Sequence, residues 1–457
     1  MTVAARPPAF VNDLETCVGC HACAVACANE NQLAPGTSWR HIVTINESRR
    51  PGLPTFHLSL ACNHCRDAPC MTYCPALAIA RDPQTGAVLI DDASCIGCRY
   101  CSWVCPYDAP RFDTAAGVMQ KCTLCSRRLA VGLAPACVGA CPVGALSLGT
   151  PGDAEPMALA GFPSAGIGPS IRFLPMRTRG ASQGATAPIE GVASSGGAVP
   201  SRKLTSRSEW TLVAFTLVAQ VLVGLVLGAT VRGTALPVLP TALAGALAAV
   251  VSTAHLGRPL RFWRAGLNLR RSWLSREVIT WSLFMGVAIL AFSLDAGGAR
   301  LRWIAVAIGL ACLACIDRVY AVMARHDRPR LDDVSAVTGG LLVGAASGGM
   351  LVAAAVLVAW RCAAFRMRVA ATHGGLRPPR WMETIRAAVA VAGLALLAFS
   401  PAATLPGLVA IVAGEILDRI AFYDALDIVT PRTQAQRDLA DATHCITRPA
   451  ENAALPG

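Results

Sequence analysis

Sixteen of the chain's twenty cysteines lie between Cys17 and Cys141 in four groups of four, and nothing else in the sequence restricts the fold as much. CVGCHACAVAC places Cys17, Cys20, Cys23 and Cys27 at x2, x2, x3 spacing, and CNHCRDAPCMTYCP places Cys62, Cys65, Cys70 and Cys74 at x2, x4, x3. CIGCRYCSWVCP repeats the first pattern with Cys95, Cys98, Cys101 and Cys105, while CTLCSRRLAVGLAPACVGACP sets Cys122, Cys125, Cys137 and Cys141 at x2, x11, x3. Thiolates at x2, x2 spacing sit on a tight loop and grip three irons of a cubane. The cysteine three residues on begins a helix pointing elsewhere, so it ligates the other cluster of a pair. Sixteen ligands therefore make four 4Fe-4S clusters. The spacings do not fit a secreted disulfide framework, and no signal peptide precedes Cys17. Zinc ribbons use CxxC pairs without the third cysteine or the Cys-Pro ending that closes three of these groups.

Gly19 and Gly97 leave room for backbone beside the sulfurs, and apolar neighbours limit solvent, which is how a protein tunes such clusters. This half offers no nucleophile, phosphate loop or paired carboxylates, so no catalytic residue is assigned. It reads as a wire for single electrons.

The four groups, their order, and the phrases CNHCRDAPCMTYCP and QKCTLC resemble the four-cluster iron-sulfur subunit of dimethyl sulfoxide reductase and related molybdopterin oxidoreductases. The resemblance covers roughly residues 10–150. It implies an α+β ferredoxin-like domain of two tandem bacterial-ferredoxin modules, with fourth ligands exchanged between groups one and four and between groups two and three. The implied ligand sets are Cys17, Cys20, Cys23 and Cys141; Cys122, Cys125, Cys137 and Cys27; Cys62, Cys65, Cys70 and Cys105; and Cys95, Cys98, Cys101 and Cys74. Some relatives replace a cysteine of the third group and hold a three-iron cluster, but this chain keeps all four. The resemblance also implies that the set containing Cys95 lies nearest the membrane, and that a separate molybdopterin-containing catalytic subunit is the partner.

Beyond residue 150 the composition changes. A Gly/Pro/Ser-rich linker is expected over 151–207, within which SIRFLPMR has the apolar content to pack on a domain. The whole chain is 54% hydrophobic and 15% charged, with mean hydropathy +0.48, too apolar for an ordinary soluble protein. Seven apolar runs, at 209–231, 235–256, 277–295, 301–324, 334–360, 382–400 and 404–427, are long enough to cross about 30 Å of hydrocarbon. An all-α polytopic membrane bundle is expected over 208–430, with a polar tail at 431–457. The net charge of +12 falls almost wholly on this half, where basic loops beside membrane helices account for it and nucleic acid is not an expected partner.

Ionisable residues in such helices are costly and are functional candidates by default. They are His255, Glu277, Asp317, Arg318, Glu415, Asp418 and Arg419, with Glu415 and Arg419 spaced to pair on one helix face. Arg258, Arg261 and Arg264 read as side chains snorkelling to the interface. HLGRPLRFW, SWLSRE and AGEILDR resemble the membrane anchor subunit of the same reductases, which passes electrons between quinone and the iron-sulfur subunit. That anchor has eight helices, so one is missing here, and the loss is expected between Trp360 and Trp381. A quinone site is expected from His255, Glu277, Arg258 and Arg318. Haem is not expected, because only His255 lies in or beside a helix while His326, His373 and His444 fall in loops or the tail.

The sequence therefore reads as an electron-transfer and membrane-anchor subunit of the cytoplasmic membrane. With seven helices the arginines divide evenly between the two faces; the missing export signal favours a cytoplasmic iron-sulfur domain. A stand-alone quinone-linked relay serving soluble carriers is the alternative.

Overall fold

A computed structural model describes residues 7–50, 53–150, 158–176, 203–294, 298–323, 335–371, 379–399, 403–426 and 428–447. The first 150 residues contribute eight short strands: β1 (Ala9–Asp13), β2 (His41–Ile45), β3 (Phe56–Leu60), β4 (Ile79–Arg81), β5 (Val88–Ile90), β6 (Arg111–Asp113), β7 (Val118–Gln120) and β8 (Leu146–Gly149). Between them lie α1 (Ala22–Glu30), α2 (Pro69–Thr72), α3 (Tyr100–Trp103), α4 (Ser126–Ala130) and α5 (Ala136–Gly139). β1, just ahead of the first cysteine group, pairs antiparallel with β8, just after the fourth, in the register Phe10↔Leu148. β2–β3, β4–β5 and β6–β7 are separate antiparallel pairs. Elements this short bury little on their own, and the thiol loops occupy what would otherwise be core. Cys23, Cys62, Cys98, Cys101 and Cys122 lie in one continuous cluster with Phe10, Leu58, Ile96, Tyr100 and Leu124.

Part of the expected linker is built into this domain. β9 (Ile171–Leu174) adds to the other edge of β1 in parallel, Phe10 opposite Ile171. Phe162 stacks on Tyr107 with ring centroids 4.9 Å apart and meets Phe173 edge-on. Residues 151–157 and 177–202 of the linker lie outside the described residues.

The second half is helical: α6 (Trp210–Arg232), α7 (Val238–Thr253), α8 (Trp273–Ser293), α9 (Gly298–Ala321), α10 (Ser335–Ser347), α11 (Leu351–Ala371), α12 (Arg380–Phe399), α13 (Thr404–Ala425) and α14 (Pro431–Thr447). α6, α8, α9 and the Trp381–Phe399 part of α12 are long and apolar enough to cross a membrane, and α7 and α10 are apolar but shorter. The core of the first half runs on into this bundle through Val319, Phe284 and Phe215 without a break.

One apolar run differs from expectation. The stretch 334–360 is two antiparallel helices, α10 and α11, and not a single span. Gly349 sits at φ +75°, its N–H bonds to Ala346 O at 3.3 Å, and Met350 N–H bonds to Ala345 O at 2.8 Å. This is the Schellman arrangement that stops a helix. The fold thus has eight α-helices between Trp210 and Ala425 among the described residues, and the eighth arises from this break, not between Trp360 and Trp381. α10 runs parallel to α6, with Gly340 and Gly344 against Gln220 and Leu227, and α11 returns so that Arg361 reaches Ser335 O. The expected polar tail is also partly ordered: 431–447 forms α14, whose Asp438 accepts the Gly161 N–H at 2.7 Å.

Candidate electron-transfer centre

The backbone of each CxxC loop is shaped for sulfur. The residue before the second cysteine has positive φ in all four, being Gly19, His64, Gly97 and Leu124. For His64 and Leu124 that conformation costs about 1–2 kcal/mol, which the surroundings sustain. It turns amides onto sulfur: His64 N–H lies 3.5 Å from Cys62 Sγ and Leu124 N–H 3.3 Å from Cys122 Sγ. Ala78 N–H approaches Cys74 Sγ at 3.3 Å and Met119 N–H approaches Cys95 Sγ at 3.5 Å.

The thiols gather in sets that cross the groups. Cys62, Cys65, Cys70 and Cys105 line one cavity, and Cys17, Cys20, Cys23 and Cys141 line another. Cys74 lies within Coulombic reach of Cys98 and Cys101, and Cys27 of Cys125 and Cys137. Neighbouring sets lie within Coulombic reach through Cys23 and Cys27, Cys62 and Cys122, and Cys70 and Cys101, so the four sets follow one another in a line. Burial pushes the Cys27, Cys70 and Cys98 thiols up to about 12. At neutral pH they hold protons unless a cation displaces them.

The donor set fits a multi-atom iron-sulfur group. Among the described residues no three His, Cys, Asp or Glu side chains close on one point as a lone metal ion requires. Polar atoms without partners face the thiol cavities instead. Asn63 and His64 line the Cys62 cavity, and Asn63 Nδ2 and His64 Nε2 are buried with no hydrogen bond. His64 Nδ1 accepts the Val88 N–H at 3.0 Å, so the neutral ring carries its proton on Nε2. Asn12 lines the Cys17 cavity with both amide atoms unpaired.

The two ends of the line differ. Cys20 is exposed, and Val18 and Val143, which line the same cavity, are exposed beside it. Cys95, Cys98 and Cys101 are buried, and the loop between α7 and α8 packs directly on them. Arg258 N–H bonds to Ile96 O at 3.2 Å and its Nε to Ala116 O at 3.0 Å. Arg261 donates to Asp92 O and Cys95 O, and Arg264 to Ser94 Oγ at 2.8 Å. Asn268 Nδ2 bonds to Thr72 O at 3.0 Å and Cys74 O at 2.9 Å. These arginines, read from sequence as snorkelling, clamp the two halves together. Three glycines set the approach: a Cβ on Gly97 would lie 2.4 Å from Gly117 O, and one on Gly257 2.1 Å from the same atom.

His255 and Glu277 flank this junction without contacting each other among the described residues. His255 follows α7, half-buried, with Nδ1 on Ser252 O. Glu277 is buried in the first turns of α8 against Cys312, and its carboxylate has no hydrogen-bond partner among the described residues. Arg99 lies toward His255 and Tyr100 toward Glu277, two adjacent residues of the cluster loop that sequence reasoning did not single out. Arg99 pairs with buried Glu209 at 3.7 Å and stacks on Phe112 at 4.2 Å, and Tyr100 OH donates to Val319 O at 2.9 Å. Arg318 is exposed on α9 and is not gathered with these groups.

The remaining bundle charges have structural partners. Glu415 and Asp418 pair with Arg361, and Asp418 also with Arg386 at 3.3 Å and Arg368 at 3.6 Å. Glu415 does not pair with Arg419, whose NH1 donates to Ser335 Oγ at 3.1 Å. Asp317 accepts the Ala336 and Val337 N–H groups, capping α10. His326 and His373 lie outside the described residues, and the surroundings of the His444 side chain are not described.

Cavity-lining thiols in line, joined to helices of membrane-crossing length, define an iron-sulfur electron-transfer protein with a membrane-type bundle. Comparison with known proteins is specific about the first part. Residues 54–151 match the 4Fe-4S dicluster domain family. The B subunit of sulfite dehydrogenase from Allochromatium vinosum is 37% identical over 168 residues, covering 32% of this chain and 70% of the relative. The B component of anaerobic dimethyl sulfoxide reductase from Escherichia coli K12 is 38% identical over 148 residues, covering 31% and 72%. The thiosulfate reductase electron transfer subunit of Salmonella typhi is 38% identical over 149 residues, covering 32% and 77%. This protein belongs to the family of iron-sulfur subunits of dimethyl sulfoxide reductase-type oxidoreductases, and it carries in addition a helical half that those matches do not span.

Proposed function

We propose that the chain is the electron-transfer and membrane-anchor subunit of a molybdopterin-dependent oxidoreductase, carrying electrons between membrane quinone and a separate catalytic subunit. Four 4Fe-4S clusters would be held by the four thiol sets, each receiving its fourth cysteine from another group. The observation that carries this reading is the line of sets with unlike ends: an exposed, apolar-rimmed end at Cys20 suited to a protein partner, and a buried end at Cys95 clamped to the bundle beside His255 and Glu277.

Bound clusters supply one-electron transfer; the protein's own residues do the rest. His255 is suited to hydrogen-bond a quinone oxygen, and Glu277 to take up a proton from a quinol hydroxyl. Arg258 holds the cluster loop against this region through backbone carbonyls. Among the site residues expected from sequence, Arg318 has the weakest support because it faces outward.

A cytoplasmic face for the iron-sulfur domain, in the cytoplasmic membrane, is supported by the α10–α11 reversal. It moves Arg366 and Arg368 to the same side as the arginines from Arg258 to Arg276, leaving Arg232, Arg300 and Arg302 on the other, the asymmetry of the positive-inside rule.

The test is to purify the tagged chain from its host, identify what travels with it, and follow cluster reduction on adding a quinol. Co-purification of a large molybdopterin protein supports the reading, whereas isolation of this chain alone with quinol-reducible clusters favours a stand-alone relay. Unchanged quinol-driven reduction in both His255→Ala and Glu277→Ala would remove the quinone-site assignment.

A further inference from the structure

Arg40 is 1% exposed, one of the largest fully buried side chains in the protein. Its NH1 donates to Ser59 O at 3.1 Å and Ser59 Oγ at 3.0 Å, and its guanidinium carbon lies 4.3 Å from the centre of the Phe10 ring. Nε and NH2 are buried and have no hydrogen-bond partner, and among the described residues no carboxylate pairs with it. A guanidinium keeps its charge at any physiological pH, and a buried charge left uncompensated costs several kcal/mol. Something must supply the missing negative charge.

The candidates surround it. Cys23, from the set with Cys17, Cys20 and Cys141, and Cys27, Cys122 and Cys137, from the neighbouring set, all lie within Coulombic reach of Arg40. Ser59, which holds NH1, is itself 3.4 Å from Cys23 Sγ. β2 begins immediately after Arg40 and β3 carries Ser59, so the guanidinium is fixed by the β2–β3 pairing, between the two sets and beside neither alone.

We propose that Arg40 is a shared electrostatic positioning residue, a fixed cation that donates from Nε and NH2 toward the two iron-sulfur clusters on either side and raises the reduction potential of both. The proposal rests on the cluster assignment above. Reduction adds one electron and one unit of negative charge to a cluster while no bond is broken. A permanent cation between them stabilises each reduced form, raising both potentials together and leaving the difference between these neighbours nearly unchanged. Lys121, also buried, bears the same relation to Cys62, Cys70 and Cys122 at the next junction and provides an internal comparison.

The experiment uses the full chain purified in detergent as wild type, Arg40→Lys, Arg40→Gln and Arg40→Met. Iron and acid-labile sulfide are measured first, and each cluster is then titrated by EPR with redox mediators. In the neutral variants the reduced-to-oxidised ratio at fixed potential is expected to fall at least tenfold, a 59 mV shift per one-electron couple, for two clusters and not for the other two. Arg40→Lys is expected to shift both by less. Cluster-loaded Arg40→Gln and Arg40→Met with wild-type potentials would overturn the proposal. If both neutral variants lose iron, Arg40→Lys decides: retained clusters at near-native potentials support the charge role, and equal iron loss overturns it in favour of a packing role. Wild-type protein without cluster iron would instead overturn the cluster assignment.

Discussion

Gly257 offers the sharpest probe of how the two halves meet. Its φ lies outside the left-handed region, so alanine is conformationally permitted there and the effect of Gly257→Ala is purely steric. The added Cβ would stand 2.1 Å from Gly117 O, 2.7 Å from Gly117 C and 2.8 Å from Phe112 Cε2, where ordinary contact begins at 3.4 Å. The loop must therefore retreat by about 1.3 Å, taking with it the Gly257 and Arg258 amides that bond to Gly97 O and Ile96 O. Overpacking of this kind costs about 1–3 kcal/mol. At 1.4 kcal/mol per factor of ten, that loosens docking roughly 5- to 140-fold. Hydrogen exchange read by mass spectrometry over 254–268 should quicken within that range while iron and sulfide content stay at wild-type levels, and quinol-driven cluster reduction should slow. Wild-type protection together with wild-type reduction would refute the three-glycine contact as the docking point.

Two further outcomes follow from buried groups. Because burial pushes Cys27, Cys70 and Cys98 up to about 12, loading iron must release protons, so chelator-driven iron loss should quicken as pH falls from about 8 to about 6. The sign reverses for cluster-free protein: its thiols ionise near 9.0 when unfolded and near 12 when folded, so their contribution to stability holds below 9.0 and is lost as pH rises between those values, which thermal melts of the apo-protein would reveal. In the bundle, Arg361→Met leaves buried Glu415 without its ion-pair partner, while Asp418 keeps Arg386 and Arg368, and should cost about 3–5 kcal/mol, read as a lower melting temperature in detergent; an unchanged melt would contradict the pairing.

The cysteine spacings made the iron-sulfur half legible because four-residue groups encode local geometry: loop, positive φ, then helix. The junction was not legible. Arg258, Arg261 and Asn268 bond to backbone carbonyls more than 140 residues upstream, and nothing in HLGRPLRFW marks a carbonyl partner at that separation. Arg40 escaped notice for the same reason, since neither Ser59 nor the thiols around it stand in any periodic relation to it. The α10–α11 break was present in SGGM, but Gly340, Gly344 and Gly348 also form a small-residue stripe at four-residue spacing. Gly340 and Gly344 do serve as such a contact face, and it is Gly349, outside that period, whose conformation ends the helix.

Electrons are proposed to pass between quinone and the line of clusters at the Cys95 end, and the roles given to His255 and Glu277 depend on that exchange. The direct measurement is EPR of the purified full chain, first fully reduced with dithionite and then, in a fresh oxidised sample, after a quinol alone. Four 4Fe-4S clusters, about sixteen irons per chain, with quinol-induced signals that disappear in Glu277→Ala, are the predicted result. Four dithionite-reducible clusters that no quinol reduces at any potential the carrier can supply would contradict it.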